Sequence, residues 1–299
     1  MSKQRKIELM APAGSYEAMM AAIHAGCDSV YFGVEQFNMR ARATMNFTLD
    51  DLEKIGNICK ENKVRSYLTL NTIVYDHDLT AIKTVLDTAK SGGITAVIAS
   101  DQAVIAYARS IQMEVHISTQ VNITNIETVK FYALFADTVV LSRELSLIQI
   151  KKICDQIEKE KICGPSGRLI EVEIFVHGAL CMAVSGKCYL SLHTTNASAN
   201  RGACVQNCRR SYKVVDNEDG HEFAIENEYI MSAQDLCTID FLDQVIDSGV
   251  KVMKIEGRGK GADYVKTTVE CYREAIEAYY DNTYTKEKTV EWMERLERV

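Results

Sequence analysis

Proline is scarce in this sequence, at 2 residues in 299. Pro12 falls beside the first strand-like run and Pro165 in a Gly-Pro turn before the seventh, so no repeating element is broken. No apolar run approaches the roughly 18 residues needed to span a bilayer. The basic start, Met1 to Lys6, leads into a short segment interrupted by Pro12 and Gly14. That is not a signal-peptide core. These absences predict a cytoplasmic protein with no membrane contact. Low-complexity segments are absent. No Gly-x-Gly-x-x-Gly follows a strand-like run, so nothing supports a dinucleotide fold. Protease inventories fail too: there is no His-Glu-x-x-His, no Gly-x-Ser-x-Gly, and no evident base for Ser185 or Ser191. A surplus of basic charge is also missing. Lys plus Arg number 34 against 41 Asp plus Glu, a net charge of −7. Contact with nucleic acid therefore needs a local basic patch.

What is present is a recurring alternation. Eight short β-rich runs appear at Ile7–Met10, Ser29–Phe32, Arg65–Leu70, Ala96–Ala99, Val115–Ser118, Thr138–Leu141, Val172–Val176 and Lys251–Ile255. Helical stretches lie between most of them, around residues 16–25, 49–62, 79–91, 102–110, 125–134 and 146–161. Further helices are expected at 263–281 and 287–299. Strands alternating with helices predict parallel pairing with right-handed crossovers. Eight of them make a (β/α)8 TIM-like barrel the expected α/β fold, with a doubly wound sheet as the alternative.

The seventh connection departs from this rhythm. About seventy residues separate Val176 from Lys251, far beyond an ordinary loop. This insertion, residues 178–249, leaves from the carboxyl end of strand seven, where barrel active sites sit. A polar stretch at Asp216–Gly220, a strand-like Tyr229–Met231 and a helix near Asp235–Ser248 are expected within it.

Four of the ten cysteines fall in the insertion as Cys181-x6-Cys188-x15-Cys204-x3-Cys208. In a reducing compartment clustered cysteines point to metal ligation or catalysis rather than disulfides. Thiolates hold zinc or an iron–sulfur cluster. Neither Cys-x2-Cys knuckle of a zinc ribbon exists here, and the irregular spacing favours a cluster wrapped by a loop. Cys27, Cys59, Cys154 and Cys271 sit in helix-like or buried contexts and read as small hydrophobes, and Cys163 as an incidental exposed thiol. Cys237 is a reserve ligand. Arg201, Arg209, Arg210 and Lys213 occupy Asn200–Lys213 without an acid. They suit an anionic ligand such as phosphate, carboxylate or RNA backbone, and equally the charge of a thiolate-bound cluster.

The run Glu-Ile-Phe-Val-His-Gly-Ala-Leu-Cys from Glu173 to Cys181, continued by Gly186, Cys188 and Ser191, resembles the signature of peptidase family U32. The resemblance extends along nearly the whole chain, through Leu9–Gly14, Asp28–Gly33, Leu141–Ser146 and Lys254–Arg258. Asn200–Arg209 is similar to the Asn-x-Gly-x-Cys-x-x-x-Cys-Arg segment of the family's prephenate-dependent tRNA uridine hydroxylase branch. The resemblance implies an iron–sulfur RNA hydroxylase, with a 4Fe–4S cluster as the expected form. It would convert tRNA wobble uridine to 5-hydroxyuridine without oxygen, using prephenate. The alternatives are the collagenase-like peptidase of the family label, an rRNA cytidine hydroxylase, and a non-catalytic metal- or RNA-binding module. Members of the tRNA branch usually continue into a β-rich C-terminal domain. Here that domain is expected to be absent, leaving one barrel domain over 1–299 and a place for a protein partner.

On this reading Cys181, Cys188, Cys204 and Cys208 are the metal ligands. Arg143 and Arg258, at the ends of strands six and eight, are candidates for an anionic donor. His177, four residues before Cys181, is a candidate acid/base or a donor to the cluster, and equally a packed histidine. Arg40, Arg42, Arg201, Arg209 and Arg210 are candidates for RNA phosphate, and Asn71 and Gln120 for a base edge.

Overall fold

The computed structural model describes residues 7–34, 37–39, 41, 47–223, 231–232 and 234–299. The strands in chain order are β1 (Glu8–Pro12), β2 (Ser29–Phe32), β3 (Arg65–Leu70), β4 (Ala96–Ala99), β5 (Glu114–Ile117), β6 (Thr138–Val140), β7 (Glu171–Gly178), β8 (Val214–Val215), β9 (Glu222–Phe223), β10 (Leu236–Cys237) and β11 (Val252–Ile255). The helices are α1 (Tyr16–His24), α2 (Asp51–Glu61), α3 (Leu79–Ser91), α4 (Gln102–Ser110), α5 (Ile126–Ala133), α6 (Leu147–Glu160), α7 (Leu190–Thr195), α8 (Leu242–Asp247), α9 (Ala262–Tyr280) and α10 (Lys286–Leu296). Strands β1 to β7 pair in parallel in sequence order, β7 pairs with β11, and β11 with β1. The sheet therefore closes into an eight-stranded (β/α)8 barrel, as the alternation predicts.

Side-chain alternation gives the sheet two different faces. Leu9, Val30, Leu68, Val97, Val115, Val139, Val172 and Met253 join the helices in one large core. Inside, Met10, Tyr31, Tyr67, Ala96, Ile98 and Val252 form a smaller cluster. Part of the interior is ionic. Lys254 Nζ donates to Glu173 Oε1 at 2.8 Å, and His116 lies 3.5 Å from Glu173 Oε2 and 3.4 Å from Glu114 Oε1. Tyr67 donates its hydroxyl proton to Glu8 at 2.8 Å, and Arg65 pairs with the same carboxylate. Helix starts are set by side-chain caps: Ser15, Asp101, Asn125, Ser146 and Thr285 each accept from a first-turn N–H. Losing one such cap costs about 1 kcal/mol.

The insertion differs from expectation in its second half. The segment expected as one helix at 235–248 begins as β10, antiparallel to the end of β7, and turns helical only from Ile239, as a 3-10 turn leading into α8. Leu236 and Cys237 pair with Gly178 and His177, because β7 outruns β6 and leaves its last residues open to a partner. The polar stretch at Asp216–Gly220 is the turn of the β8–β9 hairpin. Of the expected strand near Tyr229–Met231, Met231 lies in a turn and the other two residues are outside the described ones. Cys27, Cys59, Cys154 and Cys271 are buried and Cys163 is exposed. Among the described residues no helix is long and apolar enough to cross a membrane.

Candidate functional site

The carboxyl ends of the strands surround a cavity of about 170 Å³. Its inner wall is built from β2, β4, β7 and β11 through Tyr31, Ile98, Phe175 and Lys254, and its outer wall from the insertion. The four insertion cysteines all line it. Cys181 is exposed, while Cys188, Cys204 and Cys208 are half-buried. Burial pushes the Cys208 thiol up, and the neighbouring Cys181, Cys204 and Cys188 push the same way against Arg209. Among the described residues, no three His, Cys, Asp or Glu side chains converge as ligands of one metal ion.

The loop that carries the cysteines is tied down by polar contacts. Val205 N–H donates to Ser191 Oγ at 3.1 Å, and Tyr212 donates to the Asn207 carbonyl at 2.6 Å. Asn122 Nδ2 donates to the Ser185 carbonyl at 2.9 Å. Arg201 clamps the loop to the end of β3: it donates to the Ile73 carbonyl at 2.7 Å, pairs with Asp78, and lies 4.2 Å from the Tyr75 ring centre. Arg201 holds the Asp78 carboxyl below its ordinary range despite burial. The guanidinium expected to meet RNA is thus already engaged within the protein. Arg209 lines the cavity 3.7 Å from Asp235, and Arg210 is exposed beyond its wall. Arg40 and Arg42 lie outside the described residues.

Arg143 and Arg258 both reach the cavity. Arg143 donates to Ser185 Oγ at 2.9 Å and lies 5.6 Å from the Phe175 ring centre. Arg258 is buried and donates to Asn38 Oδ1 and Thr69 Oγ1, both at 3.0 Å. Asn71 and Gln120 stand on the wall as expected. His177 does not. It is buried on the helix side of β7, with Tyr272 and Tyr264 ring centres at 5.5 and 6.0 Å. Burial pulls its pKa down to about 4, against the attraction of Asp235. The cause is local: pairing to β11 jumps from Phe175 to His177 between Lys254 and Ile255. This irregularity reverses the alternation that would have pointed His177 inward with Glu173 and Phe175. Cys237 is likewise off the cavity wall, beside Met293 Sδ at 3.5 Å.

Lys254 and Glu256 also line the cavity; both lie in the Lys254–Arg258 segment of the resemblance, but neither is among the site residues expected from the sequence. Lys254 Nζ lies 4.4 Å from the Tyr31 ring centre and 5.4 Å from that of Phe175, with Glu173 beneath it. Glu256 accepts from the Tyr31 hydroxyl at 3.1 Å. The available signal was the spacing Lys254, Glu256, Arg258: three charges two residues apart at the end of an apolar strand share one face.

The family model described as Peptidase family U32 matches residues 14–299. A protein named collagenase from Porphyromonas gingivalis is 56% identical over 292 residues, covering 98% of this chain and 70% of that protein. The tRNA hydroxylation protein P1 of Bacillus subtilis is 32% identical over 301 residues, covering 98% of this chain and 68% of that protein. A 23S rRNA 5-hydroxycytidine synthase of Escherichia coli is 34% identical over 274 residues, covering 91% and 40%. A solved U32 peptidase structure superposes with a TM-score of 0.55 at 11% identity, over 86% of this chain and 96% of that one, and shares its fold. With the barrel, the signature around Cys181 and the match over almost its entire length, the chain belongs to peptidase family U32.

Proposed function

We propose that this chain is an iron–sulfur RNA-modifying enzyme. It hydroxylates a pyrimidine C5 without oxygen, with tRNA wobble uridine as target, 5-hydroxyuridine as product and prephenate as co-substrate. One observation carries the reading: four thiols line a single cavity on a segment, Ala179–Val215, with five Lys and Arg and no Asp or Glu. The similarity to tRNA and rRNA hydroxylation proteins supports RNA as the substrate class.

The donor set fits the cofactor. Thiolates are the usual ligands of iron–sulfur clusters, and these four share a mouth without converging on a single ion. Cys181, Cys188, Cys204 and Cys208 would hold it, with Arg209 offsetting part of their charge. A bound cluster would supply electron transfer that side chains lack. The chain's own residues do the rest. Arg143, fixed by Ser185, and Lys254, fixed by Glu173, present two cations to an anionic co-substrate. Arg258, shared with Asn38 and Thr69, shapes the wall between them. Asn71 and Gln120 offer amides to a base edge.

Two measurements test this. Anaerobically purified protein should contain iron and sulfide in equal amounts, and Cys181→Ala should lower both; a colourless zinc protein would refute the cluster. Transfer RNA from a deletion strain should lose 5-hydroxyuridine derivatives by mass spectrometry, and ribosomal RNA should not change. Unchanged tRNA in a strain without a paralogue would sink the RNA assignment. The 56% identity to a protein named collagenase favours a second reading as a peptidase. It requires collagen cleavage that survives removal of metal and substitution of the four cysteines.

A further inference from the structure

The proposed chemistry uses Lys254 and Glu173 but not the histidine behind them. Glu173 is fully buried, and its two oxygens face different partners. Oε1 accepts from Lys254 Nζ at 2.8 Å, and Oε2 lies 3.5 Å from His116 Nδ1. His116 is fully buried too, with its Nε2 3.4 Å from Glu114 Oε1. Of Lys254, Glu173 and His116, only Lys254 lines the cavity.

Counting charge shows what this arrangement offers an anion. With His116 protonated, one carboxylate is shared by two cations, and the trio carries a net positive charge. With His116 neutral, Glu173 cancels Lys254 and the trio carries none. In a water-poor interior that unit difference is felt over a longer range than in solvent. The other charged groups near His116 already have partners or stand further down the barrel. On β3 and β1, Tyr67 has its ring centre 4.5 Å from the imidazole, but its hydroxyl donates to Glu8, which Arg65 pairs with. Glu171 is two residues from Glu173 on the same face of β7, and Arg168 acts on Glu114. On β2, Tyr31 faces Lys254, and β4 and β6 bring no charged side chain. Burial alone would lower the His116 pKa, but Glu114 and Glu173 hold it above the ordinary value.

We propose that His116 is a positioning residue that sets the charge Lys254 presents to a carboxylate in the cavity. Protonated, it takes over part of Glu173 and leaves Lys254 for the anion; neutral, it returns Lys254 to Glu173. The inference rests on the anionic co-substrate of the reading above and deepens it. By linkage, binding of the anion draws a proton onto His116.

Isothermal titration calorimetry with malonate and with prephenate, on anaerobically loaded protein, tests this. Wild-type protein should bind about tenfold more tightly than His116→Asn at pH 6, the order of effect of one buried unit charge. The two proteins should converge by pH 9. Comparing them cancels the titration of the anion and of the cysteines. Near neutrality, titrations in buffers of different ionisation enthalpy should show proton uptake by wild-type protein that His116→Asn lacks. His116→Gln should give the same result, and serves if the Asn variant fails to fold. A ratio of affinities that stays constant from pH 6 to pH 9 would make His116 merely structural and overturn the proposal, as would equal proton uptake by both proteins. Failure of wild-type protein to bind either anion at pH 6 would remove the co-substrate site, and the role of His116 with it.

Discussion

Lys254 and Glu173 meet inside the barrel with 5% and 0% of their side chains exposed. Removing one partner of such a pair strands a buried charge, at a cost of about 3–5 kcal/mol. Glu173→Gln should therefore lower stability by that amount in urea denaturation at neutral pH, while a change below 1 kcal/mol would show that water reaches the pair. Burial alone would raise the Glu173 pKa, but Lys254 and His116 together hold it below the ordinary value of 4.5. Burial alone would lower the His116 pKa, but Glu114 and Glu173 together hold it above 6.5. The two groups act in opposite windows. The carboxylate's contribution is complete above its unfolded value and is lost as pH falls through the folded one. The histidine's contribution is complete below pH 6.5 and is lost as pH rises through its folded value. The stability gap between wild type and His116→Asn should thus be widest near pH 6 and narrow above neutrality. A gap that stays constant to pH 9 would mean that His116 is not charged in the fold.

At the scale of elements, what could be read in advance was whatever repeats. Strands β1 to β7 and β11 and most of their helices follow from the sequence, because a buried parallel strand leaves a short continuous β-rich apolar run and an amphipathic helix a period of 3.6. The cysteine loop and the arginines at strand ends were legible by position. His177 was misleading because one irregular pairing step reverses its face, and periodicity does not record such a step. Lys254 was passed over because a lysine in an apolar strand declares no partner until Glu173, 81 residues away in sequence, is placed beside it. Gly186 shows how closely the insertion and barrel fit. Its φ is +73°, and a Cβ there would lie 2.4 Å from Gln120 Oε1. Gly186→Ala should cost about 1–3 kcal/mol in thermal unfolding through backbone strain, and displace Gln120 from the cavity wall. Unchanged melting and unchanged RNA affinity together would show that the loop moves freely at this point. Arg201→Met should release the clamp onto Asp78 and Tyr75. Hydrogen exchange should then rise across Ala199–Cys208 and remain unchanged in β3.

For the whole molecule, stability and chemistry reside in different parts. The large core is assembled from the strands and surrounding helices, whereas the stretch from Cys181 to Cys208 contributes only Ala197, Ala199 and Ala203 to the buried apolar set. With so little apolar area to bury, the loop depends on its polar ties and, on the reading proposed here, on its metal. The barrel does not. Removing metal from anaerobically loaded protein should therefore leave the main unfolding transition within a few degrees of its original temperature, and limited proteolysis should begin to cut between Cys181 and Cys208. Cys237→Ser, beside Met293 and away from the cavity, should leave metal content and the proteolytic pattern as they are. Collapse of the whole fold on metal removal would mean that the loop supports the barrel, and the division of labour drawn from its sparse burial would fail.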